Sequence, residues 1–221
     1  LHIRNGGKGL FLESLNNGGW DRPEYIRSGE QMLELVELEP FQKGWLAATW
    51  PDQAGFFGDG KCAMAFMGNW MYGAQASNSA SGEGLGDSNM GMFNMPMTNG
   101  GLGDSGDTLG GINGWLFSSS ASDAAVELMM HYISLDIQKE DASNGAYIPI
   151  VKGADGSLTN PFLQQVAKNI SSSEYHQIFY DQFLGADIGR VVNDVSTDLA
   201  AGIISAEEAT QAVQEAWEFN Q

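Results

Sequence analysis

Positive charge, cysteine, histidine and long apolar runs are all scarce in this chain. Its 221 residues carry 10 Lys and Arg against 28 Asp and Glu, a formal charge of −18. That balance repels nucleic-acid phosphate and anionic lipid headgroups, which argues against both as partners. The charge itself is read as serving solubility rather than fold. No window approaches 18 consecutive apolar residues, so the sequence encodes no helical membrane span. Cys62 stands alone, which excludes an internal disulfide and leaves the redox compartment unread. Lying in an apolar run, it is expected to pack as a small hydrophobe.

Catalytic and metal-binding signatures are equally sparse. His2, His131 and His176 form no His-x-x-His or His-Glu-x-x-His pair. Ser118-Ser119-Ser120 lacks the Gly-x-Ser-x-Gly turn of a serine nucleophile. Gly6-Gly7-Lys8-Gly9 lacks the Gly-Lys-[Ser/Thr] ending of a phosphate loop and has no strand before it. Asp104-Ser105-Gly106-Asp107 lacks the spacing and closing Glu of a calcium loop, so no metal is assigned and a turn-rich loop is expected. Paired carboxylates capable of glycoside hydrolysis are limited to Glu207-Glu208 and Glu37/Glu39, on helix faces that read as solvated. The sequence implies no cofactor and argues against an enzyme.

What is present is a globular composition, 43% apolar with 29 Gly, 10 Met and 6 Trp. Leu10–Leu15 reads as the end of a helix closed by Asn16-Asn17-Gly18-Gly19. A second helix is expected over Gly29–Glu39, stopped by Pro40, with Met32, Leu35 and Val36 on one face. Trp45–Phe57 reads as a short helix that ends in a glycine turn. Cys62–Met67 is an uninterrupted apolar run bounded by glycines, the pattern of a strand buried on both faces. Gly68-Asn69 opens a helix from Trp70 to about Ala76, and Met90–Met95 and Trp115–Ser118 are further strand candidates.

Between them, Thr98–Gly114 reads as loop. Ser122–Leu135 carries a helical stripe capped by Ser122 or Asp123. Asn160-Pro161 starts a helix through Ile170, and Ser205-Ala206-Glu207-Glu208 is a capping box for a last helix through Trp217. Short buried strands followed by a helical second half fit an α/β layer architecture, with α+β as the alternative.

Aromatics beside glycines and amides are the remaining chemistry. Trp70 follows Gly68-Asn69 where a strand is expected to end, and strand ends border the ligand crevice of open α/β sheets. Leu109-Gly110-Gly111-Ile112-Asn113-Gly114-Trp115 makes a second such junction. Aromatic faces suit sugar rings, and Asn can bond hydroxyls. On the residues alone, core and ligand-facing placements of Trp70 both stay open.

Several motifs together resemble the extracellular solute-binding proteins of carbohydrate ABC importers. They are Phe57-x-x-Gly60-Lys61-x-Ala63-Met64, Gly68-x-Trp70, Met95-Pro96, Gly110-Gly111 before Trp115-Leu116-Phe117-Ser118, Gly145-x-x-Ile148-Pro149 and Ala201-Gly202-x-Ile204-Ser205-x-Glu207-Glu208-Ala209. The resemblance spans roughly Leu10–Phe219. It implies a periplasmic-binding-protein-like (type II) lobe, with a short central sheet, flanking helices and a helical C-terminal region.

Members of that family are about twice this long and hold sugar between two lobes. Residues 1–221 then correspond to the C-terminal lobe, with the N-terminal lobe not in this chain. The opening Leu1-His2-Ile3-Arg4 has no start methionine or signal-peptide pattern, as expected of a mature form or a portion of something longer. The resemblance further implies a sugar or oligosaccharide ligand and ABC permease subunits as partners. It places the protein in the periplasm or outside the cell, with a lipid anchor on the upstream half as one option. It carries ligand contact to Trp70, with Asn69 as hydroxyl partner, to Gly110, Gly111 and Asn113, and to Tyr180, chosen from Phe179, Tyr180 and Phe183. A carboxylate hydrolase and a non-binding surface protein are the rival readings.

Overall fold

A computed structural model describes residues 1–111 and 113–221. In chain order the elements are α1 (His2–Asn17), α2 (Pro23–Val36), α3 (Trp50–Gly58), α4 (Met71–Ser77), β1 (Thr108–Gly110), α5 (Asp123–Tyr132), α6 (Leu135–Ser143), α7 (Pro161–Ser172), β2 (His176–Ile178), α8 (Tyr180–Phe183), α9 (Ala186–Ala200) and α10 (Ala206–Phe219). The fold is α/β and mostly helical. Among the described residues its sheet is a single parallel pair, with Thr108 opposite His176 and Gly110 opposite Ile178. The chain divides into two compact units. Unit 1 comprises Leu1–Ala47, Asn94–Gly111 and Ser173–Gln221, and unit 2 comprises Ala48–Phe93 and Ile112–Ser172.

Unit 1 is organised around a buried aromatic cluster. Phe11 of α1, Trp20, Tyr25 of α2, Leu184, Ile188 of α9 and Val213 of α10 pack together, with Tyr180, Val192 and Trp217 against them. Trp20 and Tyr25 stack with ring centroids 5.4 Å apart, and Phe11 meets Trp20 edge-on at 5.8 Å. The end of α1 is tied to α10: Gln214 Oε1 accepts from the amides of Gly19 (2.8 Å) and Trp20 (2.9 Å). Gly18 adopts φ 75°, and a Cβ there would lie 2.8 Å from the Trp217 ring. The closing glycine therefore serves both the turn and the packing.

A second determinant of unit 1 is Arg4, buried and facing carbonyls rather than a carboxylate. Its guanidinium donates to Met95 O (3.2 and 3.1 Å), Asp104 O (2.5 Å), Asp107 O (3.2 Å) and Ser105 O (3.5 Å). Beside it, buried Asn5 donates to Ser28 Oγ (2.8 Å) and Gln31 Oε1 (2.9 Å) and accepts from Thr98 Oγ1 (2.6 Å). The amides of Leu102 and Gly103 donate to the carbonyls of Asn5 and Arg4. These bonds hold segment 95–107 on α1 and so deliver the chain into β1.

Unit 2 has a smaller core, Ala142, Leu158 and Leu163 with Ile148 and Ala167. In it α3 and α4 pack closely, because a Cβ on Gly58 would fall 2.0 Å from Gln75 O. Buried Gln75 fixes the following loop, accepting from Leu85 N at 2.7 Å.

Several sequence expectations match these elements. Ser205 forms the expected reciprocal capping box on α10, and Thr49 with Asp52, not singled out in the sequence, forms another on α3. Asn160 Oδ1 accepts from the amides of Phe162 and Leu163, and Ser122 caps α5. Others are corrected. The second helix starts at Pro23 rather than Gly29, and its buried face is Tyr25, Ser28 and Gly29, with Leu35 exposed. Gly29 lies inside that helix because Ala206 of α10 occupies the space a Cβ would need, 2.7 Å away.

Cys62–Met67, Met90–Met95 and Trp115–Ser118 are not strands: no described strand pairs with them, and they lie largely in solvent. Cys62 is half-buried rather than packed in a core. β1 lies inside the expected 98–114 loop. The apolar stripe of α5 has no buried member.

Two outcomes follow. Substituting Arg4→Ala takes a charged donor from four carbonyls in half-buried hydrogen bonds and should cost about 1.5–3 kcal/mol in urea unfolding. Arg4→Lys should recover only part of that loss, because an ammonium cannot reproduce the planar fork.

His2 lies 4.8 Å from the Tyr25 ring and 5.7 Å from the Tyr180 ring, and burial lowers its pKa to about 3. Folded protein keeps this imidazole neutral while the unfolded chain protonates below about 6.5. Stability should therefore be complete above pH 6.5 and fall as pH drops from 6.5 toward 3. His2→Phe should flatten that stretch of the melting-temperature profile.

Candidate functional site

The six residues chosen from sequence fall in both units. Asn69, Trp70 and Asn113 belong to unit 2, and Gly110, Gly111 and Tyr180 to unit 1. Ile112, inside the second glycine junction, lies outside the described residues.

Trp70 immediately precedes α4, whose first turn begins with Met71 N donating to Gly68 O at 3.0 Å and Tyr72 N donating to Asn69 O at 3.2 Å. The backbone of Gly68 and Asn69 thus makes the turn that presents Trp70. The indole remains 45% exposed, unlike Trp20 at 2%. It folds back over Gly68: a Cβ there would sit 2.3 Å from Trp70 Cζ3 and 2.4 Å from Cη2. Gly68 is therefore the seat of the ring, and the Gly-x-Trp spacing has a steric cause. No described residue takes up the Asn69 side-chain amide. Asn113 is exposed.

The second junction is built for close approach within unit 1. Gly110 O accepts from Phe179 N at 3.0 Å, extending the β1–β2 ladder by one bond. A Cβ on Gly110 would come within 2.9 Å of His176 Cε1. One on Gly111 would come within 3.2 Å of Gln182 Oε1 and 3.3 Å of the Phe179 ring. His176 is itself held by Thr108, Oγ1 to Nδ1 2.8 Å.

Tyr180 starts α8 with its ring turned into the aromatic cluster, 4.9 Å from Phe11 and 6.1 Å from Trp20. Burial holds its phenol pKa well above the usual value. Of the three aromatics weighed for this position, Phe183 is the more exposed, at 43%.

Sequence reasoning missed one feature of unit 1. A depression of about 560 Å³ is lined by Lys8, Glu13, Asp104, Asp107, Glu174 and Tyr175 together with the Gly6–Gly9 backbone. Lys8 Nζ stands 5.5 Å above the Tyr175 ring. None of the six chosen residues lines it. Four carboxylates around one lysine make it hostile to phosphate, which removes the loop reading of Gly6-Gly7-Lys8-Gly9. That run instead bends α1 at Gly7, φ 64°, where a Cβ would meet Leu102 O at 3.0 Å.

Asp104 and Asp107 are engaged in their own turn. Asp104 Oδ1 accepts from Gly106 N (2.7 Å), and Asp107 Oδ2 accepts from Asp104 N (2.9 Å). Glu208 is likewise committed, accepting from Ser205 N at 2.8 Å, and that hydrogen bond lowers its pKa.

Two solved structures share this fold. A chitin oligosaccharide binding protein superposes with a TM-score of 0.83 at 23% identity, over 99% of this chain and 55% of its own. A protein solved in work on xylan utilization by the thermophilic bacterium Caldanaerobius polysaccharolyticus matches with a TM-score of 0.79 at 21% identity, over 97% of this chain and 55% of its own. The chain thus spans about half the length of the structures it matches. No protein-family model and no curated protein matches it.

Gly68→Ala should leave the melting temperature within about 1 °C but displace the Trp70 ring, as expected for a surface change that costs under about 0.5 kcal/mol. In protein labelled with 5-fluorotryptophan, the fluorine resonance assigned to Trp70 should move while those of the other five tryptophans stay in place.

Proposed function

We propose that the chain is the C-terminal lobe of a substrate-binding receptor serving a carbohydrate ABC importer. It binds a sugar or oligosaccharide between lobes and carries out no chemistry on it. The observation that carries this reading is Trp70, a half-exposed indole seated on Gly68 at the start of α4. It is supported by a fold shared with a chitin oligosaccharide binding protein. An aromatic face of this kind stacks on the apolar face of a pyranose ring, and the Asn69 amide beside it can bond a ring hydroxyl.

Binding energy in such a receptor is collected only when both lobes contact the ligand, so closure about a hinge accompanies binding. In unit 2, Trp70 and Asn69 supply stacking and polar contact and Asn113 an amide. In unit 1, the ligand contacts carried over from the sequence are Gly110, Gly111 and Tyr180. The permease subunits of the importer are the protein partners. The working location is the periplasm or the outer surface of the cell, reached by a lipid anchor or as a free protein.

Titration calorimetry of the intact receptor against chitin- and xylan-derived oligosaccharides tests the proposal. At least one series should bind, and Trp70→Ala should weaken it by about 2 kcal/mol, roughly 30-fold, from about 80 Å² of lost apolar contact. The melting temperature should barely move. Unaltered affinity in Trp70→Ala would reject this role for the indole, and turnover of chromogenic glycosides would reject the receptor assignment.

A further inference from the structure

Two stretches of unit 2 combine an apolar sequence, no helix or strand, and side chains that lie largely in solvent. In Cys62–Met67, Met64 is 74% exposed and Phe66 79%. In Trp115–Ser118, Trp115 is 67% exposed and Leu116 99%. No backbone hydrogen bond joins residues 63–67 or 115–117 to any described residue. Side chains of an extended segment alternate between faces, so a run that is apolar throughout is apolar on both. Such runs belong in the interior of a sheet that is paired at its edges and covered above and below. Left open, their unpaired donors and acceptors are a template for another strand.

The comparison of lengths says what covers them. The two matched structures use 97% and 99% of this chain but only 55% of their own, which leaves 45% of each without a counterpart here. We infer that residues 63–67 and 115–117 are strands of a sheet completed by polypeptide of the same protein beyond these 221 residues, which pairs along their edges and covers Phe66 and Leu116. The inference extends the two-lobed reading above by naming the surface on which the rest of the protein docks and the mode, strand addition, by which it does so. Helix α5, with Leu128 64% exposed and no buried residue, stands in the same unit as apolar surface to be covered.

Site-specific photocross-linking in the protein as its own cells make it provides the test. Phe66→p-benzoylphenylalanine and Leu116→p-benzoylphenylalanine should each cross-link, on irradiation, to peptides of the same polypeptide that lie outside residues 1–221. Cross-links to another copy of residues 1–221, to lipid, or to nothing overturn the inference, as does an intact mass for the source protein of 23.8 kDa.

Hydrogen exchange on unmodified protein covers the case in which either substitution disturbs folding. Amides 63–67 and 115–117 should exchange at least about 100-fold more slowly in the source protein than in the 221-residue chain alone. Equal rates overturn the inference. Neither measurement involves sugar, so a failed calorimetric titration with these results intact removes the receptor reading and leaves the docking surface standing.

Discussion

The buried guanidinium of Arg4 is the constraint on which most of unit 1 depends. It gathers the carbonyls of Met95, Asp104, Ser105 and Asp107, chain positions some ninety to a hundred residues away, onto the first turn of α1. A delocalised cation that satisfies several neutral acceptors can be buried without a carboxylate, provided every donor finds a carbonyl at hydrogen-bonding distance. Asn5 extends the same node sideways to α2 through Ser28 and Gln31. With segment 95–107 fastened in this way, β1 arrives in register with β2. The Gly110–Gly111 junction is then brought against His176, Phe179 and Gln182.

How much of this was legible in the sequence depended on whether the signal was local. Caps were: Ser205 with Glu208, Asn160 before Pro161 and Ser122 before Asp123 act within one turn, and the structure uses each of them. Helix α4 was placed to within a residue because Gly68-Asn69 is a local turn signal. Strands were not legible, because a strand exists only with its partner. Thr108–Gly110 sits in a polar glycine-rich stretch and becomes β1 only through His176–Ile178, far along the chain. Residues 62–67 have the composition of a strand, yet no described strand pairs with them. The Arg4 node left no mark in the sequence, since the backbone carbonyls it uses carry no residue identity.

The aromatic residues divide by the same logic. Trp20 follows Gly18-Gly19 and Tyr180 precedes Asp181-Gln182, yet both point into the cluster around Phe11, and Trp20 Nε1 has no hydrogen-bond partner among the described residues. Trp70 has a similar sequence context but is turned outward. The difference lies in Gly68, whose missing side chain gives the indole a flat bed on its own backbone instead of a place in the core. The spacing alone does not decide this, since Gly18 also stands two residues before Trp20 and makes room there for Trp217, so the outward turn of Trp70 belongs to its own site. It was readable from sequence only through resemblance to other proteins, not from periodicity.

The order in which unit 1 is assembled has a consequence for synthesis. Its aromatic cluster draws Phe11, Trp20 and Tyr25 from the first segment, and Leu184, Ile188 and Val213 from the last. The Leu184, Ile188 and Val213 side chains that complete the cluster are made after residue 172, when the chain of unit 2 has already been produced. While unit 2 is being made those three aromatic side chains lack their partners from the last segment, and a very long loop has to close when the two segments meet. The bonds of Arg4 and Asn5 to residues 95–107 need neither α9 nor α10, whereas the aromatic cluster of unit 1 needs both. Loss of the last two helices would thus withdraw the lid from a core whose other half is supplied by α1 and α2, far earlier in the chain.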